Sequence, residues 1–206
     1  MSLFFRMHLE NPQVRMIRQS AQIVRDGGVI AYPTDSGYAL GCHLGDKTAL
    51  DRMRQIRQLD ARHHFTLICR HLSEVGTFAT FDTPVYRLLK ANTPGPYTFI
   101  LRATRVVPRR VMHQKTKTIG LRIPDHLIVQ ALLTELDEPM LTTTLILPGD
   151  AYPMNDASEI RERIQNHVDL IIDGGPCGTI PTTVVDLSDD VPRILRVGRG
   201  DPSPFS

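Results

Sequence analysis

The chain has 206 residues, 41% of them apolar and 22% charged, which suits one soluble domain, residues 1–206, with a substantial core. No apolar run approaches the roughly 18 residues of a membrane span. The N-terminus lacks the apolar segment of a secretory signal, and three scattered cysteines without a CxxC pair exclude a disulfide framework or structural zinc, so the expected location is the cytoplasm.

Asn11-Pro12 opens a helix whose Val14, Ile17, Ala21 and Val24 form one apolar face, closed by Gly27-Gly28. A strand over Val29–Tyr32 stops at Pro33 and is followed by Thr34, Asp35, Ser36, Gly37 and Tyr38. This is either an ordinary strand-to-turn exit or the polar end of a strand where an α/β sheet receives its ligand. Asp46 caps a second helix with Ala49, Met53 and Ile56 inward, and Thr66–Cys69 reads as a strand. Leu72–Phe78 and the segment from Thr83-Pro84 read as helices, with a strand at Thr98–Leu101 and a helical turn at Pro108–His113. Thr118–Ile123 is a strand ended by Pro124, Asp125 caps a long helix through Leu136, and Met140–Leu147 is a strand. A helix at Ser158–His167 and strands at Leu170–Asp173, Thr183–Leu187 and Arg193–Val197 complete the series. The expected fold is α/β: a twisted, open, mixed sheet of about seven strands with helices on both faces.

The net charge of +2 hides an asymmetry. Residues 1–124 carry 19 Lys/Arg against 8 Asp/Glu, a net +11, and residues 125–206 carry 5 against 14, a net −9. From Thr83 to Pro124 there are basic residues and no acidic one, among them Arg105, Arg109, Arg110, Lys115 and Lys117. Two readings stay open for that run: a solvated basic face, or a surface for polyanions such as nucleotides or RNA. Aromatic residues do not interleave with it, which disfavours a single-strand stacking platform.

There is no GxGxxG, Walker A or GxSxG signature. His63 and His64 read as solvated loop histidines. What remains are hydroxyl clusters at strand ends, Thr34/Ser36, Thr142-Thr143-Thr144 and Thr182-Thr183, with Arg122 and Arg196 as natural anion anchors.

These stretches resemble a known family. Pro33-Thr-Asp-Ser-Gly-Tyr-Ala-Leu-Gly41 is similar to the PTDTxYGLG signature of YrdC-like threonylcarbamoyl-AMP synthases. Thr93-Pro-Gly-Pro-Tyr-Thr98, Gly120-Leu-Arg-Ile-Pro124 and Pro139-Met-Leu-Thr-Thr-Thr144 resemble WPGPLT, GVRVP and PLVATS. Asp169–Gly175, Pro181–Asp186 and Ile194–Gly198 resemble VDLILDGG, PSTVVD and ILRPG. The wording at Ile56–Leu59 and His64–Leu67 resembles the YciO branch.

The resemblance implies a twisted open sheet with a positive concave face. It implies ATP as substrate, with L-threonine and bicarbonate, in tRNA t6A modification, and it leaves the magnesium requirement open. Thr34, Tyr38, Arg122 and Thr182 match threonine-pocket positions, while Arg57, Thr144 and Arg196 match positions near the nucleotide. The synthases' Lys-x-Arg and Ser-x-Asn pairs correspond here to Arg57 with Leu59 and Thr144 with Ile146. Leu59 and Ile146 keep nothing polar, and Arg62 is the nearby cation that would substitute. The resemblance therefore implies weak or altered synthase activity, or a double-stranded RNA or tRNA-binding role without this catalysis. Oligomeric state stays open.

Overall fold

A computed structural model describes residues 1–59, 63 and 65–206. Eleven strands form one sheet: β1 (Leu3–Arg6), β2 (Ile30–Thr34), β3 (Gly37–His43), β4 (Thr66–Ile68), β5 (Ala79–Thr80), β6 (Tyr97–Ala103), β7 (Thr118–Arg122), β8 (Met140–Thr144), β9 (Leu170–Asp173), β10 (Thr183–Asp186) and β11 (Arg193–Arg196). Their order is β1-β9-β2-β3-β8-β4-β7-β6-β10-β11, with β5 added on β6, and pairings are both parallel and antiparallel. Among the described residues six α-helices accompany them: α1 (Val14–Arg25), α2 (Lys47–Arg57), α3 (Leu72–Phe78), α4 (Thr83–Asn92), α5 (Leu127–Leu136) and α6 (Ala157–Ile164).

The mixed α/β sheet with helices on both faces is as expected, but the strand count exceeds seven because β1, β3 and β5 carry little signal of their own. The clearest correction concerns Pro33. It does not end a strand. Pairing between β2 and β9 runs only over Ile30 and Ala31, so the proline, which has no N–H to give, lies past that ladder and faces only Tyr38 of β3. Asp35 and Ser36 then make a two-residue turn, and Gly37 supplies the φ of +133° that starts β3.

Helix boundaries shift by the same kind of local chemistry. α1 starts at Val14, not at Pro12, and Val14 is exposed while Ile17, Ser20, Ala21 and Val24 form the buried face. Asp46 caps α2 as expected, its carboxylate accepting the Ala49 N–H at 2.8 Å. Asp82 rather than Thr83 caps α4, and Asp156 caps α6. His126, not Asp125, stands at the N-cap of α5 and makes no side-chain cap, and residues 108–113 form turns without a helix.

Two apolar layers flank the sheet unequally. On one face α2, α3, α4 and α6 pack on Leu40, Leu67, Phe99, Leu101, Leu121 and Val185. On the other, α1 and α5 pack on Ile30, Tyr32, Ala39, Ile68, Met140 and Leu170, and this cluster holds no residue of β6, β7, β10 or β11. That half of the second face is left without a helix. It is the floor of a cavity.

Candidate functional site

Strand alternation decides which side chains reach the open floor, because residues i and i+2 share a face. Register places Thr142 of β8, Thr66 of β4, Gly120 of β7 and Ile100 of β6 in one row across four strands. The next row carries Arg122 of β7, Thr98 of β6, Val184 of β10 and Arg196 of β11. The site therefore lies on the face of the sheet, not beyond the ends of parallel strands as the hydroxyl-rich exit at Thr34 suggested. Gly120 is needed in the floor: a Cβ there would lie 2.8 Å from Thr66 Oγ1 and 3.4 Å from Thr98 Cγ2.

Arg196 reaches this face through a β-bulge. Val185 pairs with Ile194 but the adjacent Val184 pairs with Arg196, so β11 spends one extra residue, Leu195, which is left exposed. In a regular strand Leu195 would pair with Val184, and Arg196 would share the face of Ile194, which packs against the helical core on the other side.

The cavity has a volume of about 240 Å³. Its lining includes Thr34, Tyr38, Arg57, Arg122, Thr144, Thr182 and Arg196, so all seven residues singled out for small ligands come together. Ile146 also lines it. Leu59 does not, and is partly buried against the core cluster. Arg62 lies outside the described residues. His63 corrects the sequence reading: it is a wall of the cavity, with Nε2 3.1 Å from Thr143 Oγ1 and its ring edge-on to Phe65 at 5.2 Å. Thr66, Thr98 and Gly120 were also missed, since a threonine or glycine in a strand carries no sign of what its face meets.

The basic run divides. Arg122 enters the cavity, whereas Arg105, Arg109, Arg110, Lys115 and Lys117 are exposed on the β6–β7 connection and line no part of it. Val107 and Val111 anchor that connection in the core cluster of the opposite face. Arg110 also donates to the Gly45 carbonyl.

Electrostatically the cavity is one-sided. Among the described residues its lining holds three guanidinium groups and no carboxylate. Arg122 is 7% exposed and pairs with Asp35, which sits behind it, outside the lining. Its Nε is buried with no hydrogen-bond partner in the described structure, a donor the fold leaves for something else. Arg57 donates from Nε to the Ile146 carbonyl at 3.0 Å and from Nη1 to Thr143 Oγ1 at 2.5 Å, and burial pushes its guanidinium down to about 10. Arg196 donates to the Thr182 carbonyl at 3.0 Å and to its hydroxyl at 3.1 Å. Partial burial, and then the neighbouring Arg122 charge, hold Arg196 below the usual arginine range. An anion between these groups relieves both effects.

The hydroxyls mostly build walls. Thr34 donates to the Gly37 carbonyl at 2.6 Å, and Tyr38 to the Gly175 carbonyl at 2.9 Å. Burial pushes the Tyr38 phenol well above its ordinary value. With hydroxyls and guanidinium groups but no carboxylate among the described residues, that lining does not fit a protein-held magnesium ion, which takes carboxylates alongside phosphates.

The Sua5/YciO/YrdC family model, described by the words "telomere recombination", matches residues 22–198. The chain belongs to that family. It is 56% identical over 205 residues to the protein called uncharacterized protein YciO of Escherichia coli K12, covering 100% of both chains. The crystal structure of E. coli YciO superimposes with a TM-score of 0.97, at 55% identity and full coverage of both chains. More distantly, the threonylcarbamoyl-AMP synthase of Pyrococcus abyssi is 28% identical over 184 residues, 88% of this chain and 54% of that protein. The structure of P. abyssi Sua5 complexed with L-threonine matches with a TM-score of 0.88 at 26% identity, over 96% of this chain and 58% of that one. No helix among the described residues is long and apolar enough to cross a membrane.

Proposed function

We propose that the chain, acting as one domain, binds ATP and an amino-acid-like carboxylate in this cavity and carries a weakened or altered form of the threonylcarbamoyl-AMP synthase reaction. The observation that carries the reading is a cavity whose described lining holds guanidinium groups at Arg57, Arg122 and Arg196 and no carboxylate. Arg122, with Thr34, Tyr38 and Thr182, forms the amino-acid end. Arg57, Thr144 and Arg196 form the phosphate end. The P. abyssi relative, which is complexed with L-threonine, supports the same ligand class here.

Ile146 and Leu59 set the expected weakness. Losing one charge-paired contact costs about 2–5 kcal/mol, and each 1.4 kcal/mol is about tenfold. The change at Leu59 alone should therefore weaken ATP binding roughly 30-fold to several-thousand-fold. Calorimetric titration with ATP, L-threonine and both together tests the reading, with pyrophosphate release followed in the presence of bicarbonate. Heat from both ligands, each tightened by the other, is the expected result. No heat from either sinks it.

A second reading rests on the five exposed cations of the β6–β7 connection, which serve a double-stranded RNA or tRNA backbone. Each phosphate contact removed lowers the salt slope by roughly one. Arg109→Ala with Arg110→Ala should therefore reduce that slope by about two while leaving ATP binding unchanged. A salt-insensitive or absent interaction in filter binding counts against it.

A further inference from the structure

Resting on the reading above, we propose that His63, acting through the hydroxyl of Thr143, is the proton acceptor of the cavity. An amino acid binds as an ammonium, and its nitrogen must lose one proton before the lone pair can attack a carbonyl carbon. The lining shows what can take that proton. Arg57, Arg122 and Arg196 are cations at neutral pH and only donate. Tyr38 is held protonated by burial and already donates to Gly175. Threonine hydroxyls are too weakly basic to hold a proton, and the described lining has no Asp or Glu. The imidazole of His63 is the one nitrogen base among the described lining residues, a ring that both donates and accepts.

The geometry gives the transfer a direction. Arg57 Nη1 donates to Thr143 Oγ1 at 2.5 Å, so that oxygen serves as acceptor there and its own hydrogen is free to point at His63 Nε2, 3.1 Å away. The transfer uses the His63 tautomer with its hydrogen on Nδ1, which leaves Nε2 to accept. Thr143 is in the cavity lining, and its Oγ1 keeps a second lone pair that a ligand N–H would meet. In the transfer, the ligand nitrogen gives one proton to Thr143 Oγ1 while the Thr143 hydroxyl proton passes to His63 Nε2. The ammonium becomes a neutral amine and the imidazole becomes an imidazolium, so charge and hydrogen balance and Thr143 is unchanged. The amine lone pair then forms the N–C bond to the bicarbonate carbon while that carbon's bond to its hydroxyl breaks, and the hydroxide leaves as water with the amine's next proton, giving the carbamate. His63 is partly exposed, which lets it return the proton to water.

The test compares wild type with His63→Ala, His63→Gln and Thr143→Val, each checked for folding by thermal melting. L-threonine and ATP binding are measured by calorimetry, and pyrophosphate release with bicarbonate is measured with and without added imidazole. His63→Ala should keep both affinities within about threefold and lose about 100-fold or more of the rate, the usual worth of a positioned base. Free imidazole should restore part of it. His63→Gln should lose the rate without rescue because its amide fills the space, and Thr143→Val should lose it without rescue because the relay is gone. Full rate in His63→Ala or in Thr143→Val overturns the proposal, as does a rate loss that only follows lost binding. Wild type that binds both ligands without turning over also overturns it, while wild type that binds neither overturns the parent reading with it.

Discussion

Arg122→Ala is expected to destabilise the fold by about 3–5 kcal/mol, the cost of leaving one member of a buried ion pair alone. The Arg122 and Asp35 side chains are 8% and 9% exposed. Removing the guanidinium leaves the Asp35 carboxylate, among the described residues, with the Asp125 N–H at 3.3 Å as its remaining hydrogen-bond donor. The Asp35 backbone carbonyl, tied to Arg199, holds the residue in place and does not let it turn to water. The double variant Arg122→Ala/Asp35→Ala removes the stranded charge and should recover a large part of the loss. Urea unfolding of the four proteins in the cycle gives the coupling, expected at about 2 kcal/mol or more. Arg163→Ala is the contrast. That arginine grips Asp150 with two bonds of 2.9 and 3.0 Å but is 35% exposed, and its removal should cost about 1 kcal/mol or less. Equal losses at the two arginines would show that the Asp35 pair is solvated in solution. The anion-binding consequence is separate: Arg122→Ala should abolish L-threonine heat even where the double variant folds well.

What the sequence made legible was what local chemistry writes into it. Val29–Tyr32, Leu170–Asp173 and Thr183–Leu187 read as strands because buried strands are runs of apolar and β-branched residues. Asp46 and Leu72–Phe78 read correctly because a cap and a short amphipathic turn are local. Leu3–Arg6 did not, since a four-residue edge strand is defined by its partner, here β9, and not by its own pattern. Gly37–His43 was hidden because Pro33 and Gly37 look like a chain leaving a sheet, when they form a hairpin.

The site was legible where a side chain has a strong chemical meaning, at Arg57, Arg122 and Arg196. It was illegible where position alone gives the meaning. Gly120 matters as absent volume, Leu195 as the extra residue that turns Arg196 over, and Asp35 as the charge behind Arg122. His63 was misread for the same reason. A histidine in a polar loop is usually solvated, and only the return of the chain beside Thr143 brings it into the cavity.

Gly198→Ala should be the second severe substitution, and its cause is backbone, not chemistry. A Cβ at Gly198 would meet the Pro181 carbonyl oxygen and lie 2.6 Å from both Thr182 C and O. None of these can rotate away as a side chain would. The same short stretch is tied by Gly198 N–H to Thr183 Oγ1 at 2.9 Å and by Arg199 N–H to the Pro181 carbonyl at 2.9 Å. Relieving the clash therefore means parting the segment after β11 from the segment before β10. Overpacking of this kind costs about 3 kcal/mol. The same displacement carries Arg196 off Thr182, so nucleotide affinity should fall together with stability. Gly76→Ala makes the opposite case with the same chemical change. Gly76 lies inside α3 with nothing within 4 Å of an added Cβ, and alanine there should stabilise by about 0.5–1 kcal/mol. Denaturant midpoints of the two variants should move in opposite directions. If Gly198→Ala unfolds where the parent does, the close approach at Pro181 is not what holds Arg196 over the cavity, and the bulge at Leu195 alone sets its aim.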